Sequence, residues 1–213
     1  MKKNIRRLLP FKIAASLAIA AVCASESHAY FSTIDNGDLL KPGQYQAAIE
    51  PQLILDKYNG FNVIGRFDTG FNDNANIRGV VGFGKVDFQL GGFYKIVPFP
   101  DTEDQPAIGF DIGAIYARVG GDNQLSLRVH PIVSKKFETE IGDLTPYGSI
   151  PLGVTSRKDD TVTPVQVVIG NEFRPLNSRN ISYFTELGVT VSNAFSYISA
   201  AIAYRFDDAS VSN

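Results

Sequence analysis

Few residues in this chain have the types and spacing that chemistry needs. Past residue 29 there is one histidine, His130, and no cysteine, because Cys23 is the only one in the sequence. Ser126, Arg128 and His130 alternate along one stretch next to Pro131, and hydroxyl and imidazole are the groups that nucleophilic and general-base catalysis use. A histidine on a lumen-type parity in mid-strand is read here as structural and hydrogen-bonded. No HExxH, CxxC, GxSxG or Gly-rich phosphate loop occurs in the context those motifs require. Asp35-Asn36-Gly37-Asp38 and Asn72-Asp73-Asn74 look like calcium ligands but lack a bidentate Glu at the right spacing, so both are read as turns. The expectation is a protein that is not an enzyme, with no cofactor and no metal.

The remaining candidates are charges. Glu50, Asp68, Asp87, Asp111, Glu172 and Glu186 share one parity of extended segments with Arg66, Arg78, Lys95, Arg128, Arg174 and Arg205. Side chains alternate across a strand, so a shared parity means a shared face. Acids and bases balance. In a narrow tube such charges must pair, since an unpaired buried ion costs several kcal/mol. An ion-selective pore would show an excess of one sign at a constriction, and none is visible.

The elements that would position these residues are strands separated by Gly, Asn, Asp and Pro clusters. Ten are read: 43–55, 60–70, 75–84, 85–97, 107–118, 124–137, 144–156, 163–174, 182–191 and 197–206. The seventh is the weakest, because Pro146 and Pro151 each remove a ladder donor. In most strands the other parity is apolar, as in Tyr45, Ala47, Ile49, Leu53 and Leu55 of the first. Nine to eleven residues per strand suits a tilted crossing of a hydrocarbon layer.

The ends suggest export. Lys2, Lys3, Arg6, Arg7 and Lys12 precede an apolar run, Ile13 to Val22, and Ser27-His28-Ala29 has the small residues of a cleavage site. Residues 1–29 are therefore read as a signal peptide cleaved after Ala29. They hold five of the 20 cations and one of the 22 acids, so the remainder has a net charge of −6. That disfavours nucleic acid as a partner. An exported chain without disulfides needs another form of closure. No later segment is apolar enough for a spanning helix, and a closed barrel is the other structure that pairs every backbone group in lipid.

Parity alone cannot say which face points inward, and a soluble sandwich or lipocalin-like barrel has the same alternation. The last strand decides the reading. Ile198, Ala200, Ile202, Tyr204 and Phe206 share one parity, against Ser199, Ala201, Ala203 and Arg205. This segment resembles the closing strand of small bacterial outer-membrane β-barrels. There a terminal Phe, with apolar or aromatic residues two and four positions earlier, is read by the assembly machinery. Phe206, Tyr204 and Ile202 match, whereas the tail 207–213 departs from a pattern in which the Phe is the last residue.

The resemblance implies an all-β, closed antiparallel up-and-down transmembrane barrel of about ten strands, with eight or twelve as neighbouring solutions. It would span 43–206 in the outer membrane of a Gram-negative bacterium, after a polar periplasmic lead-in at 30–42. Outer-membrane lipid and the barrel-assembly machinery would be its partners. The connections on the side opposite the termini are all short, which weakens adhesin and receptor readings. A structural or interaction barrel with a charge-balanced, plugged lumen comes first, a narrow passive channel for small solutes is the alternative, and an outer-membrane enzyme using a rim site comes last.

Overall fold

Strand alternation closes here into a wall with two chemically opposite faces. The computed structural model describes residues 32–56, 59–158 and 160–208. The leader at 1–29, its cleavage at Ala29 and tail residues 209–213 lie outside the described residues. The strands are β1 (Gln44–Ile54), β2 (Gly60–Asn72), β3 (Ala75–Gly84), β4 (Phe88–Phe99), β5 (Ala107–Val119), β6 (Asp122–Ser134), β7 (Phe137–Glu138), β8 (Gly142–Ser149), β9 (Leu152–Ser156), β10 (Thr161–Val162), β11 (Val165–Pro175), β12 (Ile181–Ser192) and β13 (Tyr197–Asp207).

The short strands continue their neighbours. β6 and β7 pair with β9 and β8 in one unbroken register, from Leu125↔Ser156 to Glu138↔Asp143. β10 and β11 likewise pair with β9 and β8, from Thr161↔Ser156 to Pro175↔Gly142. The breaks at 150–151 and 163–164 carry Pro151 and Pro164, which cannot donate to a ladder. Joined this way, the chain makes ten antiparallel barrel strands. β1 closes on β13, with Gln44 opposite Asp207 and Ile49 opposite Ile202, so no sheet edge is left open.

The register settles the question that parity left open. Ile49 is 56% exposed and Ile202 53%, whereas Glu50 is fully buried. Leu53, Phe67, Leu90, Ile112, Leu127, Ile169 and Ile198 also point outward, while Arg66, Arg78, Asp111, Arg128 and Glu186 point inward and are buried. An apolar outside around a charged inside is the reverse of a soluble barrel.

Most strand ends shift by one or two residues from the sequence reading, and three departures bear on the lumen. Residues 85–87 form a turn, so β4 begins at Phe88 and the parity changes there: Val86 is buried inside and Asp87 is exposed. Asp207, read as tail, is the last residue of β13. Residues 32–41, read as a lead-in outside the barrel, run inside it instead. Ser32, Thr33, Ile34, Asp35, Asn36 and Leu40 are all buried.

Lumen glycines make space for large neighbours. A Cβ at Gly170 or Gly188 would collide with the ring of Tyr147 or Tyr197 directly across the ladder. Each ring lies across its glycine and carries its hydroxyl to Glu186, which is how a narrow interior accepts it.

The outward face yields a test. Ile202→Asp puts a carboxylate in mid-strand on the apolar belt, and a charge near a bilayer midplane costs a barrel on the order of 2–4 kcal/mol. Phe206→Ala removes a ring stacked 5.6 Å from Tyr45 and 6.2 Å from Tyr204. Both variants should give less heat-modifiable folded protein in membrane fractions. Normal folded yield from both would show that the belt has been misplaced.

Candidate functional site: the lumen and its inner segment

The inner segment leaves β1 at Pro42 and runs back up the lumen, with Ser32 reaching the Arg66–Glu50 pair. Each step is held by a different strand. Arg66, from β2, pairs with Glu50 at 2.7 Å and donates to Ser32 Oγ at 2.5 Å and to the Ser32 and Thr33 carbonyls at 3.2 and 3.3 Å. Glu186, from β12, accepts the backbone N–H of Thr33 at 2.8 Å and of Ile34 at 2.6 Å. It also accepts the hydroxyls of Tyr147 at 2.8 Å and Tyr197 at 2.6 Å. One buried carboxylate thus serves four donors from three parts of the chain.

Lower down, the segment supplies the charge itself. Asp35 lies 2.7 Å from Lys95 Nζ and 3.1 Å from Arg78 Nη1. Arg78 also pairs with Asp68 at 2.5 Å and lies 3.7 Å from Asp111. Asn36 donates to Glu172, which pairs with Arg174 at 2.7 Å. Asp38 lies 2.9 Å from Arg174 and 3.4 Å from Arg205. Burial would raise the Asp35 carboxyl, but Arg78 and Lys95 outweigh it and bring it down to about 2. Asp38 is also pushed up by desolvation, and Arg205 and Arg174 hold it below the usual range.

Eleven of the twelve charges expected in the lumen therefore face it. Asp87 is the exception. It sits at the mouth, where its carboxylate accepts the Gly121 N–H at 3.1 Å; the turn at 85–87 breaks the alternation that had placed it inside. One further expectation, that the lumen charges pair with one another, changes in part. The charges gather in the half nearer the termini and in the middle, and Glu186 is satisfied by tyrosines and backbone amides. Arg128 is buried and lies across Gly153.

The other half is a collar of Ile54, Ile64, Val80, Val86, Phe93, Ile115, Ala117, Phe195 and Tyr197. Phe195 comes from the β12–β13 loop. Asn193 turns that loop at φ 49, which Asn tolerates better than most residues. Gln166 Nε2 then holds the Phe195 carbonyl at 2.6 Å, and Asp56 holds the Ser196 N–H at 2.5 Å.

His130 is buried opposite Asp111, with its ring 5.3 Å from that of Phe93. Ser126 Oγ lies 2.7 Å from Thr155 Oγ1. Asp38 N–H bonds to Asn36 Oδ1 at 2.8 Å and Asn74 N–H to Asn72 Oδ1 at 2.9 Å, so both calcium-like stretches form Asx turns.

Around the segment little space remains. The cavity beside Asp35 and Lys95 measures about 20 Å³, and the one between Ser32 and Phe93 about 10 Å³. That is room for about one water each. Vestibules of about 700 Å³ at the terminus side and 580 Å³ at the opposite mouth flank this septum. Asp35, Asn36 and Asp38 had been read only as a turn, and Thr33, Tyr147, Tyr197 and Phe195 had not been assigned to the lumen. Two acids within a short polar stretch beside apolar Ile34 and Leu40 were the available signal.

No protein-family model matches the chain, and no curated protein does. Among solved structures, the COG4313 outer membrane channel from Pseudomonas putida F1 matches with a TM-score of 0.53 at 9% identity, over 82% of this chain and all of that one. The translocator domain of the autotransporter NalP from Neisseria meningitidis matches more loosely, with a TM-score of 0.40 at 12% identity over 92% and 95% of the two chains. Ail, the attachment invasion locus protein of Yersinia pestis, gives 0.30 at 13% identity over 78% and 99%. The fold is that of the outer-membrane β-barrels.

Two outcomes follow from the lumen geometry. Glu186→Ala strands two backbone amides and two tyrosine hydroxyls, at about 1–3 kcal/mol for each buried group left unpaired. Thermal unfolding in detergent should show a loss on the order of 3 kcal/mol or more, and an unchanged midpoint would mean the seat is not formed. A carboxyl held below its unfolded value contributes stability that is complete above pH about 4 and is lost as pH falls towards 2. Wild-type melting should therefore drop across that window because of Asp35, and Asp35→Asn should flatten part of the drop. Identical acid profiles would contradict the assignment.

Proposed function

We propose that this chain is an integral outer-membrane β-barrel protein of a Gram-negative envelope, with a structural or interaction role and a lumen closed at rest by its own N-terminal segment. The observation that carries the reading is the seat of residues 32–38. Carboxylates and backbone amides of the segment complete the pairing of wall charges that would otherwise be buried without partners. The apolar belt suits outer-membrane lipid, and Ile202, Tyr204 and Phe206 suit recognition by the barrel-assembly machinery. Export after cleavage at Ala29 belongs to the same reading, and no catalytic step is assigned to His130.

A narrow passive channel is the second reading, and one observation favours it. The closure on the terminus side is made by a segment separate from the wall strands and held by exchangeable hydrogen bonds, with vestibules on both sides. Recording from purified protein in planar bilayers separates the two. The wild-type protein should be electrically silent, and stable, reproducible conductance would make the channel the better description.

A further inference from the structure

The seat of the inner segment has a chemistry of its own. Four wall cations converge on two segment carboxylates: Lys95 and Arg78 on Asp35, Arg174 and Arg205 on Asp38. Lys95 Nζ also donates to the Asp38 carbonyl at 2.6 Å, so one ammonium spans both ends of the Asp35–Asp38 turn. The wall carboxylates nearby are already engaged, Asp68 and Asp111 with Arg78 and Glu172 with Arg174. Among the described residues, the ion pairs of Lys95 and Arg205 are with the segment alone. Removing the segment leaves four cations against three carboxylates, with two of the cations lacking an ion-pair partner.

The seat is reachable. Asp38 is exposed and lines the terminus-side vestibule, whereas Asp35 lies deeper beside Lys95. Asp73, Asp101, Glu103 and Glu138 stand around the same vestibule with Lys41 and Lys136. These rim acids slow the approach of an anion, so discrimination rests on the inner cations.

We propose that the Lys95–Arg78–Arg174–Arg205 cluster is a binding site for small organic anions bearing two carboxylates, and that Asp35 and Asp38 occupy it as an internal stand-in for such a ligand. A dicarboxylate entering from the vestibule competes for the same guanidinium and ammonium groups and releases the segment. A ligand shifts such an equilibrium only through its differential affinity for the two states, and here the differential contact is the vacated cation cluster. The inference rests on the closed-lumen reading and goes beyond it by naming the ligand class.

The test uses the full mature chain, which has no cysteine of its own, with Ser32→Cys as reporter, since Ser32 is buried only while the segment is seated. Succinate should raise labelling of Cys at this position by a polar thiol reagent, roughly tenfold, in the range usual for coupled sites. Putrescine at matched ionic strength should leave labelling unchanged. No effect of succinate, or an equal effect of both probes, would overturn the proposal; labelling of the ligand-free Ser32→Cys chain is the baseline, since the reporter itself replaces the hydroxyl that accepts from Arg66. Asp35→Asn with Asp38→Asn should raise labelling without ligand and, by calorimetry in detergent, bind succinate more tightly, roughly tenfold, because the stand-in no longer competes. Raised labelling with unchanged or weaker succinate binding would overturn the proposal while leaving the closed-lumen reading intact. Stable ligand-free conductance of the wild type would remove that reading, and the proposal with it.

Discussion

A charge sealed inside a narrow barrel has no bulk water to return to, and the rest of this molecule is arranged around that cost. Ten strands enclose a tube only slightly wider than those that side chains fill completely. Among the described residues, five arginines, a lysine and six carboxylates project into it from the wall. Each unpaired ion in such a place costs several kcal/mol. The wall does not balance its own account with ion pairs alone. It borrows Asp35 and Asp38 from the inner segment, and it spends Glu186 on backbone amides and tyrosine hydroxyls. The segment is seated because the wall is incomplete without it.

The two ends of the lumen are closed by different physics. Towards the termini the closure is electrostatic, with Asp35 and Asp38 on four cations, and such contacts respond to ions and to competing ligands. At the opposite mouth the closure is apolar. Phe195 folds in from a loop and packs with Ile54, Val86, Phe93 and Tyr197. Contacts of that kind are indifferent to salt screening. A solute that displaced the segment would still meet the collar, so the terminus-side half is a site rather than a through path until the Phe195 loop also moves.

The strand list could be read almost entirely from the chain. Alternation of Ile49, Leu53 and Leu55 with Glu50 and Gln52 is a local signal, and a strand's two faces follow from its backbone without any knowledge of neighbours. The closing segment carried its own signature in Ile202, Tyr204 and Phe206. Eleven of the twelve lumen charges were legible for the same reason: each follows its strand's parity. Asp87 was not, because the chain turns through 85–87 where the alternation suggests a strand starting at 85, and a residue in a turn no longer follows strand parity.

Fold class, strand count and the shared face of the charges were thus set by local alternation, which every residue reports about itself. Inside versus outside was not, since both barrel types alternate alike and only closure of β1 on β13 turns one face away from solvent. The same holds for the site. Nothing near Asp35 in the chain announces Arg78 or Lys95, and Glu186 meets Thr33 across 153 positions. Charges that remote are brought within 3 Å only when the barrel closes around the segment, because pairing across a lumen depends on shear and strand order rather than on neighbours in sequence.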